Sequence, residues 1–190
     1  MRLFFVNLIT FLGFCCTSAS LYFIFNKSNF NLILILLNFS IISDFVDGYL
    51  ARKFNASSKF GKIFDLVHDF FLYLIIPVSF LSLLSLNPIA TFILIILILS
   101  GAYRLIRFFN IGTVVKDNQI FWTGMPVIYN LLLIPISLTN LAQSYYFIIL
   151  LCLISIILMP SKVLFLKLNF KQMTIMLLIF NFMYLTALWL

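Results

Sequence analysis

Long apolar stretches follow one another along this chain, and they constrain its fold more than any other feature. Runs such as 31–42, 70–86 and 88–99 contain almost no side chain that a water-facing surface could use. Hydrophobic residues make up 64% of the chain and charged residues 9%. A helix needs about 20 apolar residues to cross a bilayer, whereas the strands of a membrane barrel alternate in polarity. We therefore predict an all-α, polytopic membrane helical bundle of about 6–8 spans in one domain, residues 1–190.

The basic residues predict how these spans are oriented. If Arg2 is cytoplasmic, eleven of the twelve basic residues fall on the cytoplasmic side and only Lys27 falls outside, as the positive-inside rule expects. The net charge of +7 therefore indicates topology and membrane lipids as partners, not nucleic acid. We expect a multi-pass protein of the inner membrane, with any chemistry at its cytoplasmic face. The predicted spans are 3–25, 31–53, 62–86, 88–109, 120–141, 144–160 and 173–190.

The acidic residues are concentrated in one segment. All five are aspartates, and four of them lie between residues 44 and 69. Asp44 and Asp47 are three residues apart near the end of one predicted helix, and Asp65 and Asp69 are four apart at the start of the next. Each spacing puts a pair on one helix face, and the short connection lets the pairs face each other. Converging carboxylates repel one another, so we expect cations between them, with Mg²⁺, Mn²⁺ or Ca²⁺ suiting all-oxygen ligands.

Small and basic residues are interleaved with the aspartates. Gly48 and Ala51 have no bulky side chain, so a large ligand can approach the backbone on the helix face that they share. Arg52 supplies a planar cation that suits a phosphate. Together with divalent cations, these residues are typical of a diphosphate site. One alternative is that the aspartates only form salt bridges with Arg52, Lys53 and Lys62. Another is a cation transporter, which predicts carboxylates near the middle of the membrane rather than at helix ends.

The segment from 44 to 69 resembles the signature of the CDP-alcohol phosphatidyltransferases, D-x-x-D-G-x-x-A-R, eight residues, then G-x-x-x-D-x-x-x-D. The resemblance implies membrane enzymes, often homodimers, that displace CMP from CDP-diacylglycerol with an alcohol and use two Mg²⁺ or Mn²⁺ ions. It implies that Asp44, Asp47 and Asp65 bind metal. Asp69 would help to bind the second ion or act as the general base. The residues implied to hold the cytidine diphosphate are Gly48, Ala51, Arg52 and Gly61.

The stretch VNLITFLG also resembles the first-helix motif of this family, which implies that Asn7 and Thr10 reach the nucleotide. His68 lies about 100° around the helix from Asp69, so we expect it to face a neighbouring helix rather than to act in catalysis. The last predicted helix, 173–190, carries no functional motif.

Three further stretches resemble the phosphatidylserine synthase branch of the family and imply L-serine as the acceptor. A pair of arginines three residues apart would suit the carboxylate of serine, although the pair could also only anchor the helix end. Tyr73, Pro77 and the run MPVIYN resemble bacterial phosphatidylcholine synthases instead, so choline or another small alcohol stays an alternative. The three stretches are ARKFNASSKFG, YRLIRFFN with Arg104, Arg107 and Asn110, and FWTGMP with Gly124 and Pro126.

Overall fold

The computed structural model confirms a mostly helical chain. Its helices gather into two units, Met1–Ser79 and Phe80–Leu190, so the single domain over residues 1–190 stays a prediction. The described residues are 2–27, 29–54, 58–83, 87–117, 119–138, 145–167 and 170–189.

The first unit is built from long helices that follow one another with short connections. Asn29 caps α2 by accepting a hydrogen bond from the Asn31 N–H at 3.0 Å. Ser58 caps α3 in the same way, because its hydroxyl accepts from the Gly61 N–H at 2.9 Å. α1 packs along α2 and also contacts α3. The elements are α1 (Arg2–Phe25), α2 (Phe30–Lys53), α3 (Lys59–Phe70), a π-helical turn (Phe71–Ile75) and α4 (Ile76–Ser82).

A buried polar cluster joins three helices of the first unit. His68 is 0% exposed, and its Nε2 lies 3.1 Å from Thr17 Oγ1 and 2.9 Å from Ser40 Oγ. The Thr17 and Ser40 hydroxyls are 2.5 Å apart. Gly13 leaves room for the imidazole, since a Cβ at that position would lie 3.0 Å from His68 Cε1. The prediction that His68 faces a neighbouring helix is confirmed, and the cluster fixes how α1, α2 and α3 align.

The second unit combines helices with a small antiparallel sheet. The strands lie in the order β1-β2-β3, with Val115 opposite Ile120 and Phe121 opposite Leu166. α5 contacts α7, and α6 contacts both α7 and α8. The elements are α5 (Pro88–Ile111), β1 (Val114–Lys116), β2 (Gln119–Thr123), a 3₁₀ helix (Val127–Leu132), α6 (Leu133–Leu138), α7 (Tyr145–Leu158), β3 (Leu164–Leu166) and α8 (Phe170–Trp189).

The predicted membrane helix over 120–141 is wrong in its first part, because the chain forms the strand β2 there. Residues 119–123 pair with two other strands, and helical structure begins only at Val127. Between them the chain turns at Gly124, which has a φ of 78° and donates its N–H to the Val163 carbonyl at 2.8 Å. A Cβ at Gly124 would collide with the Met159 carbonyl oxygen. A right-handed helix could not continue through this point, because it needs a negative φ, and glycine adopts the positive φ at little cost.

Four helical stretches among the described residues are long and apolar enough to cross a membrane. They agree with the first four predicted spans to within a few residues, except that the third begins at Lys59 and ends at Ser82. Apolar helices continue beyond them, so the chain is a multi-pass membrane protein. The four stretches are Leu3–Phe25, Phe30–Lys53, Lys59–Ser82 and Pro88–Ile111, and the shorter apolar helices are Val127–Leu138, Tyr146–Leu158 and Thr174–Met183.

Candidate functional site

Three aspartates converge where α2 ends and α3 begins. Asp44, Asp47 and Asp65 each offer a carboxylate oxygen, and these oxygens all lie within 4.8 Å of one another. Asp47 is 3% exposed, and its Oδ2 has no hydrogen-bond partner among the described residues. The prediction that the two helices bring their acidic faces together is therefore confirmed for these three residues.

The three carboxylates fit a divalent cation. A buried carboxylate oxygen without a partner is costly, and the repulsion among three converging carboxylates adds to that cost. A hard cation with oxygen ligands would relieve both. Asp69 is not one of the three but lies beside Asp44. That Asp69 binds a second ion, and that there are two ions, stay predictions.

Helix α1 carries the predicted nucleotide-binding residues to the aspartates. Asn7 lies against Gly61 at the start of α3, because a Cβ on that glycine would be only 3.0 Å from Asn7 Oδ1. Thr10 is buried and donates to the Val6 carbonyl at 3.2 Å, and its hydroxyl lies next to the Asp47 carboxylate. The structure thus brings Asn7 and Thr10 to the signature segment, and their contact with the nucleotide stays a prediction.

Arg52 lies at the exposed side of the same cluster. Its guanidinium is close enough to Asp44 and Asp65 to attract both carboxylates. Gly48 lies beneath it, since a Cβ there would be 3.5 Å from Arg52 Nη1. Ala51, on the same turn, is half-buried. A cation above small residues and beside carboxylates can bind a phosphate while metal ions occupy the carboxylates.

Two residues that hold the cluster in place were missed as site residues by sequence reasoning. Ser43 donates to the Ile9 carbonyl at 2.5 Å and so ties α2 to α1 next to Asp44. Tyr73 donates its hydroxyl to Asp44 Oδ2 at 2.5 Å. Tyr73 is four residues after Asp69, a spacing that predicts the same face of a regular α-helix, and this pattern could have revealed it.

The predicted acceptor residues lie in the second unit. Arg104 is 4% exposed, with its guanidinium 5.1 Å from the Phe108 ring centroid. Asn110 is exposed near the end of α5. Arg107 donates to four carbonyl oxygens at 2.6–3.2 Å, and a role for it in acceptor binding stays a prediction that these contacts do not favour. The four oxygens belong to Thr123, Met159, Pro160 and Ser161.

The aspartate cluster, the helical fold and the signature spacing define a class of membrane protein. The chain belongs to the CDP-alcohol phosphatidyltransferase family, whose model matches residues 3–166. This match contains the whole signature and the predicted acceptor residues.

Two curated relatives give this membership more detail. A CDP-diacylglycerol–glycerol-3-phosphate 3-phosphatidyltransferase of Aquifex aeolicus is 34% identical over 110 residues, which cover 55% of this chain and 61% of the relative. An enzyme of the same name from Rickettsia typhi is 43% identical over 49 residues, 26% of this chain and 28% of the relative. The chain thus spans less than two thirds of either relative. Neither name supports the predicted phosphatidylserine synthase branch.

Proposed function

We propose that this protein is a phosphatidyltransferase that displaces CMP from CDP-diacylglycerol with a small alcohol. The observation that carries the proposal is the convergence of Asp44, Asp47 and Asp65 within 4.8 Å, at the spacing of the family signature. The nearby guanidinium of Arg52 suits the diphosphate of such a substrate. The lack of a bulky side chain at Gly48 and Ala51 leaves space for it.

The proposed reaction is a single displacement at the phosphorus that carries the diacylglycerol group. The hydroxyl oxygen of the acceptor forms a bond to this phosphorus, and the bond from the phosphorus to the oxygen of CMP breaks. The proton of the hydroxyl passes to a carboxylate, for which Asp69 is the predicted general base. CMP leaves with the bridging oxygen, so atoms and charge balance without an oxidant or reductant.

Different residues around the reacting phosphorus have different proposed roles. Asp44, Asp47 and Asp65 would hold Mg²⁺ or Mn²⁺, and a bound ion supplies charge neutralisation to the diphosphate. Arg52 would pair with a phosphate oxygen, and Asn7 with Thr10 would orient the nucleotide. Placing the diphosphate between α1, α2 and α3 lets one rigid group of helices position both phosphates.

Glycerol 3-phosphate is the acceptor that we propose, in place of the predicted L-serine. The proposal is supported by the names of the two relatives from Aquifex aeolicus and Rickettsia typhi. The phosphate of this acceptor requires cationic partners. We propose Arg104 as one of them, a residue of α5 whose side chain is buried. Location in the inner membrane with the site facing the cytoplasm, and assembly as a homodimer, are further parts of the proposal.

An acceptor panel tests this function. Purified protein in detergent is given CDP-diacylglycerol and Mg²⁺ or Mn²⁺, with glycerol 3-phosphate, serine, choline or inositol in turn, and released CMP is measured. We expect CMP release with glycerol 3-phosphate and little with the other three. Release with serine or choline alone would assign the protein to the corresponding branch, and no release with any acceptor would refute the enzymatic proposal.

A further inference from the structure

We propose that Tyr73 is a positioning residue that holds Asp44 in the orientation needed to bind the metal ion. This inference rests on the proposed function, because it concerns the ion that Asp44, Asp47 and Asp65 would share. It adds to the site a side chain that lies outside the signature segment 44–69.

The contact itself is direct and buried. Tyr73 is 3% exposed, and its hydroxyl donates to Asp44 Oδ2 at 2.5 Å. This is a length typical of an O–H donor on a charged carboxylate. Three other polar side chains, Asp69, His68 and Arg52, also lie close to Asp44. Its orientation therefore affects the whole cluster.

The local backbone places Tyr73 where it can make this bond. The span that begins with α3 changes from α-helix to a π-helical turn at Phe71–Ile75, where the Ile76 N–H bonds the Phe71 carbonyl. A π turn adds a residue to the turn and rotates the side chains that follow it, and such turns are frequent at functional sites. Tyr73 is inside this turn and Asp69 is just before it, yet both lie beside Asp44.

The hydroxyl has a specific physical effect on a metal ligand. A carboxylate that receives one fixed hydrogen bond loses rotational freedom about its last torsion, so less entropy is lost when it binds an ion. The phenol adds no charge of its own that would compete with the cation. Removing an outer partner of this kind typically weakens metal affinity or activity about 10- to 100-fold.

The substitution Tyr73→Phe separates this effect from packing. Phenylalanine keeps the ring that fills the buried space and removes only the hydroxyl. The matched control is Tyr22→Phe on α1, where the tyrosine is 66% exposed. We expect both variants to keep the thermal midpoint of the wild-type protein to within a few degrees, since the ring packing is unchanged.

Binding of Mn²⁺ to protein in detergent, followed by the electron paramagnetic resonance of free Mn²⁺, is the primary measurement. We expect Tyr73→Phe to weaken Mn²⁺ affinity about 10- to 100-fold and Tyr22→Phe to leave it unchanged. The Mn²⁺ concentration that gives half-maximal CMP release should rise by a similar factor, and saturating Mn²⁺ should restore most of kcat. A residue with a merely structural role would lower the thermal midpoint without this metal rescue.

Each outcome bears on the inference separately from the proposed function. Equal Mn²⁺ affinity in wild type and Tyr73→Phe would overturn the positioning role even if CMP release is normal. Weaker affinity without any CMP release in the wild type would support the role of Tyr73 and refute the proposed reaction. A wild-type protein that binds no Mn²⁺ and no Mg²⁺ would overturn both.

Discussion

Among single residues of the first unit, the hydrogen-bond partners of a polar side chain indicate the role that it can have. Asp47 has an oxygen without a partner among the described residues, whereas Asp44 is held by Tyr73. His68 is only one residue from Asp69, yet it is bonded to Thr17 and Ser40. Chemistry in the site therefore depends on which face of α3 a residue occupies, more than on its place in the sequence.

Asp69 has two predicted roles, the general base and a ligand of the second ion, and in either role it acts in turnover more than in nucleotide binding. Asp69→Asn keeps the shape of the side chain but cannot accept the proton of the acceptor. We expect CMP release to fall about 10²- to 10⁴-fold, while binding of the nucleotide, measured by equilibrium dialysis of labelled CDP, stays near the wild-type value. Asp117→Asn is the matched control, because Asp117 is exposed in a turn after β1. Full activity of the Asp69 variant would show that another group takes the proton.

At the element scale, the long helices could be predicted and the small sheet could not. Each of the first four spans contains a long apolar run, and a polar cap residue or a basic end marks where it starts or stops, so its length and position follow from hydropathy. The strand Gln119–Thr123 pairs with residues 164–166, about 45 positions away in the sequence. Its aromatic and β-branched residues fit a strand or a buried helix equally well. Only the neighbouring Gly124 and Pro126 could have suggested the break.

Arg107 links the elements of the second unit and offers a test at this scale. Its guanidinium bonds carbonyls at the ends of β2 and α7, and a lysine keeps the charge but not the planar set of donors. We expect Arg107→Lys to lower the stability by about 1–3 kcal/mol, measured as the thermal unfolding of the protein in detergent. Lys162→Arg, at an exposed position, is the control for exchanging one basic residue for the other. Unchanged stability with a raised KM for the acceptor would instead favour the predicted acceptor role.

For the whole molecule, the sequence was sufficient to predict the family and the meeting of Asp44, Asp47 and Asp65, but it did not determine the acceptor. The residues from Asp44 to Asp69 lie on two consecutive helices, so their spacing alone determines which faces meet. The acceptor was predicted from Arg104 and Arg107, and the carbonyl groups that surround Arg107 come from distant parts of the chain. From the sequence alone, either arginine could bind a carboxylate, bind a phosphate or support the fold. Arg107 makes contacts of the kind that support the fold, because it donates to backbone carbonyls.

Metal removal tests whether the converging aspartates hold divalent ions for phosphatidyl transfer. CMP release from CDP-diacylglycerol and glycerol 3-phosphate is measured after chelation with EDTA and again after Mg²⁺ or Mn²⁺ is restored, with Asp47→Asn in parallel. We expect that chelation abolishes release by the wild type, that either ion restores it, and that Asp47→Asn stays inactive at the same ion concentrations. Release that is unaffected by chelation, or that persists in Asp47→Asn, would contradict this expectation.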